Sequence, residues 1–314
     1  MFRAARVAPF AGALLVILFL AGCATPQVSA LIARPPPTLA ERAELTSMPF
    51  YPQERYQCGP AALATALVYS GVATSPEALV SQVYLPEREG ALQAEMLAAA
   101  RRHGRVAYRL APRLEDVLHE VAAGTPVVVL QNLAFAVVPR WHYAVVIGYD
   151  RASEEIILRS GTTQRLAMTL SNFERTWARG EHWAMVAMPP ERLPASAAED
   201  AYVAAAVALE RVSASAARQA YATALSRWPR NLVARIGSGN LAYAMKDFAA
   251  AETAYREATR DHPQAADAWN NLAHTLFEAG RKDEALAAAQ RAVTLGGPRL
   301  PQYQTTLKTI AESR

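Results

Sequence analysis

The sequence predicts two folded parts, an α+β domain in the first half of the chain and an all-α helical repeat in the second. Helix-like segments come first, and runs of β-branched residues follow them between residues 127 and 188. From residue 198 onward the sequence is rich in alanine and repeats every 34 residues. With 314 residues, 52% of them hydrophobic and 19% charged, the chain is long enough for two ordinary globular domains.

Charge and residue spacing limit the partners and cofactors. The formal net charge is only +4, and no run of five or more basic residues occurs. Nucleic acid is therefore not an expected partner. The spacing of cysteine and histidine offers no zinc site, and we find no glycine-rich phosphate loop, so no metal or cofactor is expected.

Residues 1–22 have the three parts of a bacterial export signal. Arg3 and Arg6 are followed by an apolar run from Phe10 to Leu20 and then by two small residues. The run is shorter than the roughly 20 apolar residues that span a bilayer. We therefore expect a cleaved signal peptide rather than a transmembrane helix.

The residues at 20–23, Leu-Ala-Gly-Cys, resemble the lipobox of bacterial lipoproteins. That resemblance implies acylation of Cys23, and Ala24 in place of Asp implies sorting to the outer membrane, facing the periplasm. A plain secretory signal with an incidental cysteine is the alternative. If Cys23 is acylated, Cys58 is the only thiol left and no intramolecular disulfide can form.

Residues 23–46 are predicted to be a lipidated N-terminus and linker. The run Arg34-Pro35-Pro36-Pro37 favours an extended polyproline II conformation, which predicts a stalk between membrane and domain. The first domain is predicted over residues 47–188, because the proline-rich stretch at 189–194 breaks regular structure.

The α+β prediction is based on the order of elements within residues 47–188. A helix is predicted to begin at Cys58, with Pro60 in its first turn and a stop at Gly71. Cap and stop residues predict three further helices, and β-branched runs predict four strands. The helices are expected at 75–84, 91–103 and 114–122, and the strands at 127–131, 142–149, 156–159 and 183–188.

In the second part of the chain, individual residue types recur every 34 positions. Tyr221 and Tyr255 are 34 residues apart, as are Pro229 and Pro263. The period and its small-residue positions resemble the tetratricopeptide repeat, which implies a stacked solenoid that binds a protein partner. Units are expected at about 198–231, 232–265 and 266–299, followed by a capping helix from Gln302 within a repeat domain that spans 198–314.

Three residues have the chemistry that cysteine catalysis needs. Cys58 at a helix start is a candidate nucleophile, because unpaired N–H groups and the helix dipole favour a thiolate there. His142 opens a later strand and is a candidate base. Gln53 can offer its side-chain amide beside the Cys58 backbone N–H as an oxyanion hole. His103, His119 and His182 are weaker candidate bases, and Asp150 fits a hairpin turn better than a triad.

The segment Gln53-x4-Cys58-Gly-Pro-Ala-Ala-Leu, followed by His142-Tyr-Ala-Val-Val-Ile-Gly-Tyr-Asp, resembles the bacteriocin-leader peptidase family of the papain-like clan. The resemblance covers residues 47–188 and implies a papain-like fold in which these three residues are the oxyanion donor, nucleophile and base. In that family a third residue, Asp or Asn, orients the histidine. Ser160 stands at that position here, without a carboxylate.

We expect a membrane-anchored cysteine peptidase that acts on a peptide or protein, with repeats that bind a protein partner. An inactive scaffold that binds peptides is one alternative, and the missing carboxylate favours it. An acyl or amide transferase that uses the same thioester is another.

Overall fold

The structure, a computed structural model, describes residues 25–52, 57–135 and 137–313. These divide into two compact units, one of residues up to 99 together with 109–186, the other of residues 100–108 and 187–313. Within the described residues no helix is both long and apolar enough to cross a membrane.

The first part of the chain is built on a mostly antiparallel sheet with helices beside it. Seven of its nine strands form one sheet in the order β4-β9-β5-β6-β7-β8, with β1 also paired to β6. The strands are β1 Arg42–Glu44, β2 Tyr84–Leu85, β3 Gly90–Ala91, β4 Val106–Arg109, β5 Val127–Asn132, β6 Trp141–Asp150, β7 Glu155–Ser160, β8 Thr163–Thr169 and β9 Ala184–Met188.

Six helices accompany the strands. They are α1 Pro26–Ala33, α2 Cys58–Tyr69, α3 Pro76–Val83, α4 Gln93–Arg102, α5 Leu114–Ala122 and α6 Leu170–Ala178. Helix α2 and helix α5 contact β6, whereas α6 contacts β5. Every residue of α2 from Gly59 to Leu67 is buried, so this helix is fixed in the core along its length. The α+β class predicted from the sequence is confirmed.

Strand β6 is a central strand of the sheet and pairs with three other strands. Its first half pairs with β5, from Asn132 opposite Trp141 to Val127 opposite Val146. Beyond the end of β5, strand β1 takes the same side of β6, with Glu44 opposite Gly148. A Cβ on Gly148 would lie only 2.9 Å from the Ala43 carbonyl oxygen, so glycine permits this close approach.

The predicted linker at residues 23–46 is wrong for its described part. Residues Pro26–Ala33 form helix α1, with Val28 and Leu31 buried, and Arg42–Glu44 join the sheet as β1. The proline run does not stay extended, because the Leu39 N–H donates to the Pro36 carbonyl 3.1 Å away. The sequence pattern concealed this because α1 is only eight residues long, which is too short to show a clear helical period.

Two side chains fasten α1 to the first unit. The buried Glu174 carboxylate accepts the N–H of Gln27 at 3.0 Å and that of Val28 at 2.8 Å, which satisfies the free amides at the start of α1. In turn the Gln27 side-chain oxygen accepts the Leu114 N–H at 2.5 Å, at the start of α5. Residues from Pro26 onward therefore belong to the folded unit, and Pro26 is close to Cys23 in the sequence.

Several expected elements are present with shifted ends. Helix α4 begins at Gln93 rather than at 91, because Gly90 and Ala91 pair with Tyr84 and Leu85 in a small hairpin. This hairpin, strands β4 and β8, and helix α6 are not predicted from the sequence. Strand β8 is largely exposed and alternates polar residues, so it has a weak apolar signal.

The second part is a series of helical hairpins. The seven helices are α7 Glu199–Val207, α8 Ala214–Arg227, α9 Leu232–Ala244, α10 Phe248–Asp261, α11 Ala266–Glu278, α12 Lys282–Leu295 and α13 Leu300–Glu312. Consecutive helices contact one another, and α13 takes the place of the expected capping helix.

The 34-residue tyrosine spacing has a packing reason. Both Tyr221 and Tyr255 are buried against a glycine of helix α9. The ring of Tyr221 occupies the space that a side chain on Gly237 would fill, and a Cβ on Gly239 would lie 2.5 Å from Cε1 of Tyr255. Two glycines of α9 therefore allow an aromatic ring from α8 and another from α10 to pack closely against its backbone.

Candidate active site

Cys58 is the first residue of helix α2, and its side chain is half-buried. Its immobile position follows from the burial of the next nine residues of the helix. Gly59 is required here because a Cβ on it would lie 2.5 Å from the Cβ of Ala91. The thiol therefore lies where the β2–β3 hairpin approaches the start of the helix.

The electrostatics of the Cys58 thiol differ from the sequence expectation. Burial raises the pKa of the thiol, while backbone N–H groups of Tyr143, Gly59 and Cys58 itself act in the opposite direction. Burial is the larger effect, so the thiol of the free protein is neutral at pH 7. The expected helix-start stabilisation of the thiolate is present but is outweighed.

His142 lies near the start of β6, one residue before Tyr143, whose backbone N–H reaches the thiol. Its Nε2 lies 2.8 Å from the Oγ of Ser160, at the end of β7. Strands β6 and β7 are antiparallel neighbours, with Val145 opposite Arg159, which brings the end of β7 beside the start of β6. The structure thus brings together His142 and the Ser160 position predicted from the sequence.

The imidazole of His142 is also held neutral. Its burial and the nearby Arg140 guanidinium lower its pKa to about 4. A serine hydroxyl carries no negative charge, so it orients the ring without offsetting these two effects. Cys58 and His142 are therefore arranged as a neutral thiol and a neutral imidazole in the free protein.

Both side chains line one cavity of about 1010 Å³. Its walls come from the start of α2, strand β5, the β2–β3 hairpin with the residues that follow it, the start of β6 with the residues just before it, the β7–β8 turn and the turn after α6. Lining residues from these places are Leu92, Trp141, Gly161 and Gly180. The cavity is large enough for several residues of an extended peptide.

Two predicted functional residues, Gln53 and Cys23, lie outside the described residues. The Cys58 backbone N–H is the described half of the predicted oxyanion hole. Gln53 as its second donor and Cys23 as the lipidation site stay predictions.

The alternative bases lie elsewhere, since none of them is among the residues that line the cavity. His182 packs its ring edge-on against Trp177, with centroids 4.8 Å apart. His119 lies 3.4 Å from Glu115 on helix α5. The Asp150 carboxylate accepts the N–H groups of Ala152 and Ser153, so it has the predicted turn role.

Sequence reasoning missed the walls of the cavity. The β2–β3 hairpin reads as a break between two helices, and Gly161 and Gly180 read as ordinary turn glycines. At Gly180 a Cβ would clash with the Leu130 carbonyl, so glycine is required there. Only the tertiary contacts reveal that requirement.

Two family models match separate parts of the chain. Residues 45–185 match the family model described as Peptidase C39-like, and residues 236–299 match the one described as tetratricopeptide repeat. No curated protein matches the chain.

Two solved structures are similar to separate parts of the chain. A candidate C39-like peptidase from Bacillus anthracis is 19% identical, over 48% of this chain and 98% of its own, with a TM-score of 0.40. The MamA protein is 14% identical, over 36% of this chain and 72% of its own, with a TM-score of 0.29. From the matched family models, the chain carries a Peptidase C39-like domain followed by tetratricopeptide repeats.

Proposed function

We propose that this protein is a cysteine peptidase in which Cys58 attacks a peptide carbonyl and His142 transfers the proton. The observation that carries the proposal is the shared cavity, in which the thiol and an imidazole fixed by Ser160 face the same space. The Peptidase C39-like match over residues 45–185 supports the same reaction class.

The neutral pair dictates the order of proton transfers. The hydrogen bond between His142 Nε2 and the Ser160 hydroxyl suits either tautomer. In the tautomer that has Nε2–H donating, Nδ1 is the nitrogen that accepts the thiol proton as sulfur bonds to the carbonyl carbon. The oxyanion that forms is stabilised by the Cys58 backbone N–H and, from the sequence, by Gln53. His142 then gives its proton to the leaving amine, and a thioester remains.

Water resolves the thioester in the second half of the reaction. His142 takes one proton from the water as its oxygen attacks the acyl carbon, and the proton returns to the departing sulfur. The products are a carboxylic acid and the original thiol. If an amine attacked instead of water, the product would be a new amide, which is the transferase alternative.

The decisive experiment is incubation with a set of unrelated unfolded polypeptides, followed by mass spectrometry of the products. Intact protein should release peptides with a new carboxyl terminus, and Cys58→Ala should release none. Products joined to an added amine would favour the transferase. Binding without product from intact protein would favour the inactive scaffold, which the hydroxyl in place of a carboxylate beside His142 supports.

The rest of the proposal concerns where the enzyme acts and what it binds. Tetratricopeptide repeats support binding to a protein partner in general. From the sequence we propose that acylated Cys23 anchors the protein in the outer membrane, facing the periplasm. Metabolic labelling with a fatty-acid analogue should mark intact protein and leave Cys23→Ser unmarked.

A further inference from the structure

An unusual apolar surface protrudes beside the candidate active site. Among the described residues, eleven large hydrophobic side chains are exposed. Five of them lie in the stretch 133–141, which connects β5 to β6 and ends at the first residue of β6. We call them the apolar tip: Leu133, Phe135, Val137, Val138 and Trp141. Phe135 is 78% exposed, Val137 89%, Val138 70% and Trp141 54%.

Hydrogen bonds hold the apolar tip in place. The Asn132 side-chain oxygen accepts the N–H of Ala134 at 3.0 Å and that of Arg140 at 2.9 Å. Arg179, just after helix α6, donates to the carbonyls of Asn132 and Ala134 at 3.1 and 2.7 Å. These contacts keep the apolar side chains from folding back onto the sheet, so their exposure needs a reason.

The apolar tip and the start of the folded chain are fastened to the same helix. Glu174 of α6 holds the first N–H groups of α1, and Arg179 at the end of α6 holds the base of the tip. Five residues of helix separate these two attachment points by roughly 8 Å along the axis. The apolar tip therefore lies on the side of the domain near residue 26.

Residue 26 in turn is close to the predicted anchor. Pro26 follows Cys23 by three positions in the sequence, which is a reach of at most about 11 Å. A protein acylated at Cys23 would hold the start of α1, and with it the apolar tip, near the bilayer surface. The absence of a stalk in the described residues is what makes this proximity necessary.

We propose that the apolar tip inserts into the membrane surface to which Cys23 is anchored. This inference rests on the lipid anchor in the proposed function. Phe135, Val137 and Val138 are 70 to 89% exposed, so they present apolar surface outward from the domain. A bilayer needs no shape complementarity, and Trp141 at the base suits the interface.

The position of the tip also defines the kind of substrate. Pro139, Arg140 and Trp141 line the cavity that contains Cys58 and His142. Insertion of the tip would place the cavity mouth next to the lipid headgroups. The substrate class is then a polypeptide segment held close to the membrane.

The test uses protein that begins at residue 25, which lacks both signal and anchor but contains every described element. Co-sedimentation with phosphatidylethanolamine and phosphatidylglycerol vesicles should show binding by intact protein. The variant Phe135→Glu, Val137→Glu, Val138→Glu should bind at least about tenfold more weakly, because three apolar groups become charged. A matched control, Val212→Glu, Val233→Glu, Met245→Glu, changes three half-exposed apolar residues of the repeats and should bind within about twofold of intact protein.

Further readouts separate this inference from the catalytic proposal. Cys58→Ala should bind vesicles like intact protein, so the tip is tested even if no peptidase activity exists. Equal binding by intact protein and tip variant, or no binding by intact protein, would overturn the inference. So would a tip variant that loses turnover of a soluble peptide but keeps vesicle binding, since the tip would then contact substrate. Thermal melting checks folding, and the milder Phe135→Ser, Val137→Ser pair replaces the triple variant if that variant is unfolded.

Discussion

The peptidase-like unit and the repeat unit use the same device, a helical glycine pressed against a neighbour, for different purposes. Gly59 in α2 lets Ala91 approach beside Cys58, and Gly239 in α9 receives the ring of Tyr255. In the repeats the contact joins residues 16 positions apart and builds a regular core. Beside the active site it joins residues 32 apart and shapes a cavity wall.

The difference teaches where function is sensitive. The repeats gain stability from many similar local contacts. The candidate active site is formed by a few residues that are distant from one another in the sequence. We therefore expect substitutions in the repeats to lower stability alone, and substitutions near Cys58 to alter activity or its pH dependence as well.

The largest expected effect is on stability in acid and comes from His142. Its pKa is lowered to about 4 in the folded protein, against about 6.5 in the unfolded chain. The stability it contributes is therefore complete above pH 6.5 and is lost as the pH falls towards 4, in total by about 3 kcal/mol. Denaturant unfolding at several pH values should show this slope in intact protein and a flatter one in His142→Gln.

His274 in the repeats offers the matched control for that experiment. Burial also lowers the pKa of His274, whose Nε2 lies 3.0 Å from the Thr306 hydroxyl. In His274→Gln the stability of the repeat unit should fall less steeply as the pH is lowered, and peptide hydrolysis should be unchanged. If His142→Gln and intact protein lose stability in parallel, the assigned burial effect on His142 is wrong.

A slightly smaller effect is expected where α1 is fastened to the peptidase-like unit. Glu174→Ala leaves two N–H groups of α1 without their acceptor and opens a small cavity. The free energy of unfolding should therefore fall by about 2 to 3 kcal/mol. Limited proteolysis should then cut within residues 25–46. Asp247→Ala removes an ordinary side-chain cap in the repeats and should cost only about 1 kcal/mol. If the two substitutions lowered the free energy of unfolding equally, Glu174 would be no more than an ordinary helix cap.

The two glycines give the most direct comparison of the units. Gly59→Ala and Gly239→Ala each force a shift of a neighbour that lies 2.5 Å from the new Cβ, at a cost of about 1 to 3 kcal/mol. Only Gly59→Ala should also slow peptide hydrolysis, because Ala91 lines the cavity. Melting temperatures and initial rates of both variants would check this. A comparable loss of rate in Gly239→Ala would mean that the repeats control the active site.

The smallest expected effect concerns the orientation of His142. Ser160→Ala should lower kcat by about tenfold, since the imidazole loses its hydrogen bond but keeps its place in the cavity. Ser160→Asp should have a higher kcat than Ser160→Ala, and its carboxylate should raise the pKa of His142. The fall of kcat on the acid side should therefore begin at a higher pH than in intact protein. An acid limb that stays in place in Ser160→Asp would show that Ser160 does not contact the working imidazole.

Much of this molecule follows from local sequence. Helix α2 begins at Cys58 and helix α5 covers Leu114–Ala122 as predicted, because caps, stops and apolar spacing act within a few residues. Strands β5 to β7 follow from β-branched runs. The repeat helices follow from a 34-residue period that determines contacts between neighbouring helices.

The candidate site was predictable in its residue types but not in its electrostatics. Sequence order identified Cys58, His142 and the Ser160 position, and the structure places Ser160 against the imidazole. The direction of both pKa shifts depends on burial by strands and helices that are distant in sequence. A helix start alone suggested a thiolate, whereas desolvation favours the neutral thiol.

By itself, then, the sequence determined the α+β order, the repeat period and the choice of Cys58 and His142 as candidate nucleophile and base, because these depend on local spacing and side-chain chemistry. Only the tertiary structure decided that residues 26–44 belong to the folded unit, since α1 is held by Glu174 and β1 by β6, both more than 100 residues away. The same long-range contacts form the cavity and expose the apolar tip. The pattern of apolar residues in a short stretch of sequence does not indicate which distant residue will supply a hydrogen bond or exclude water.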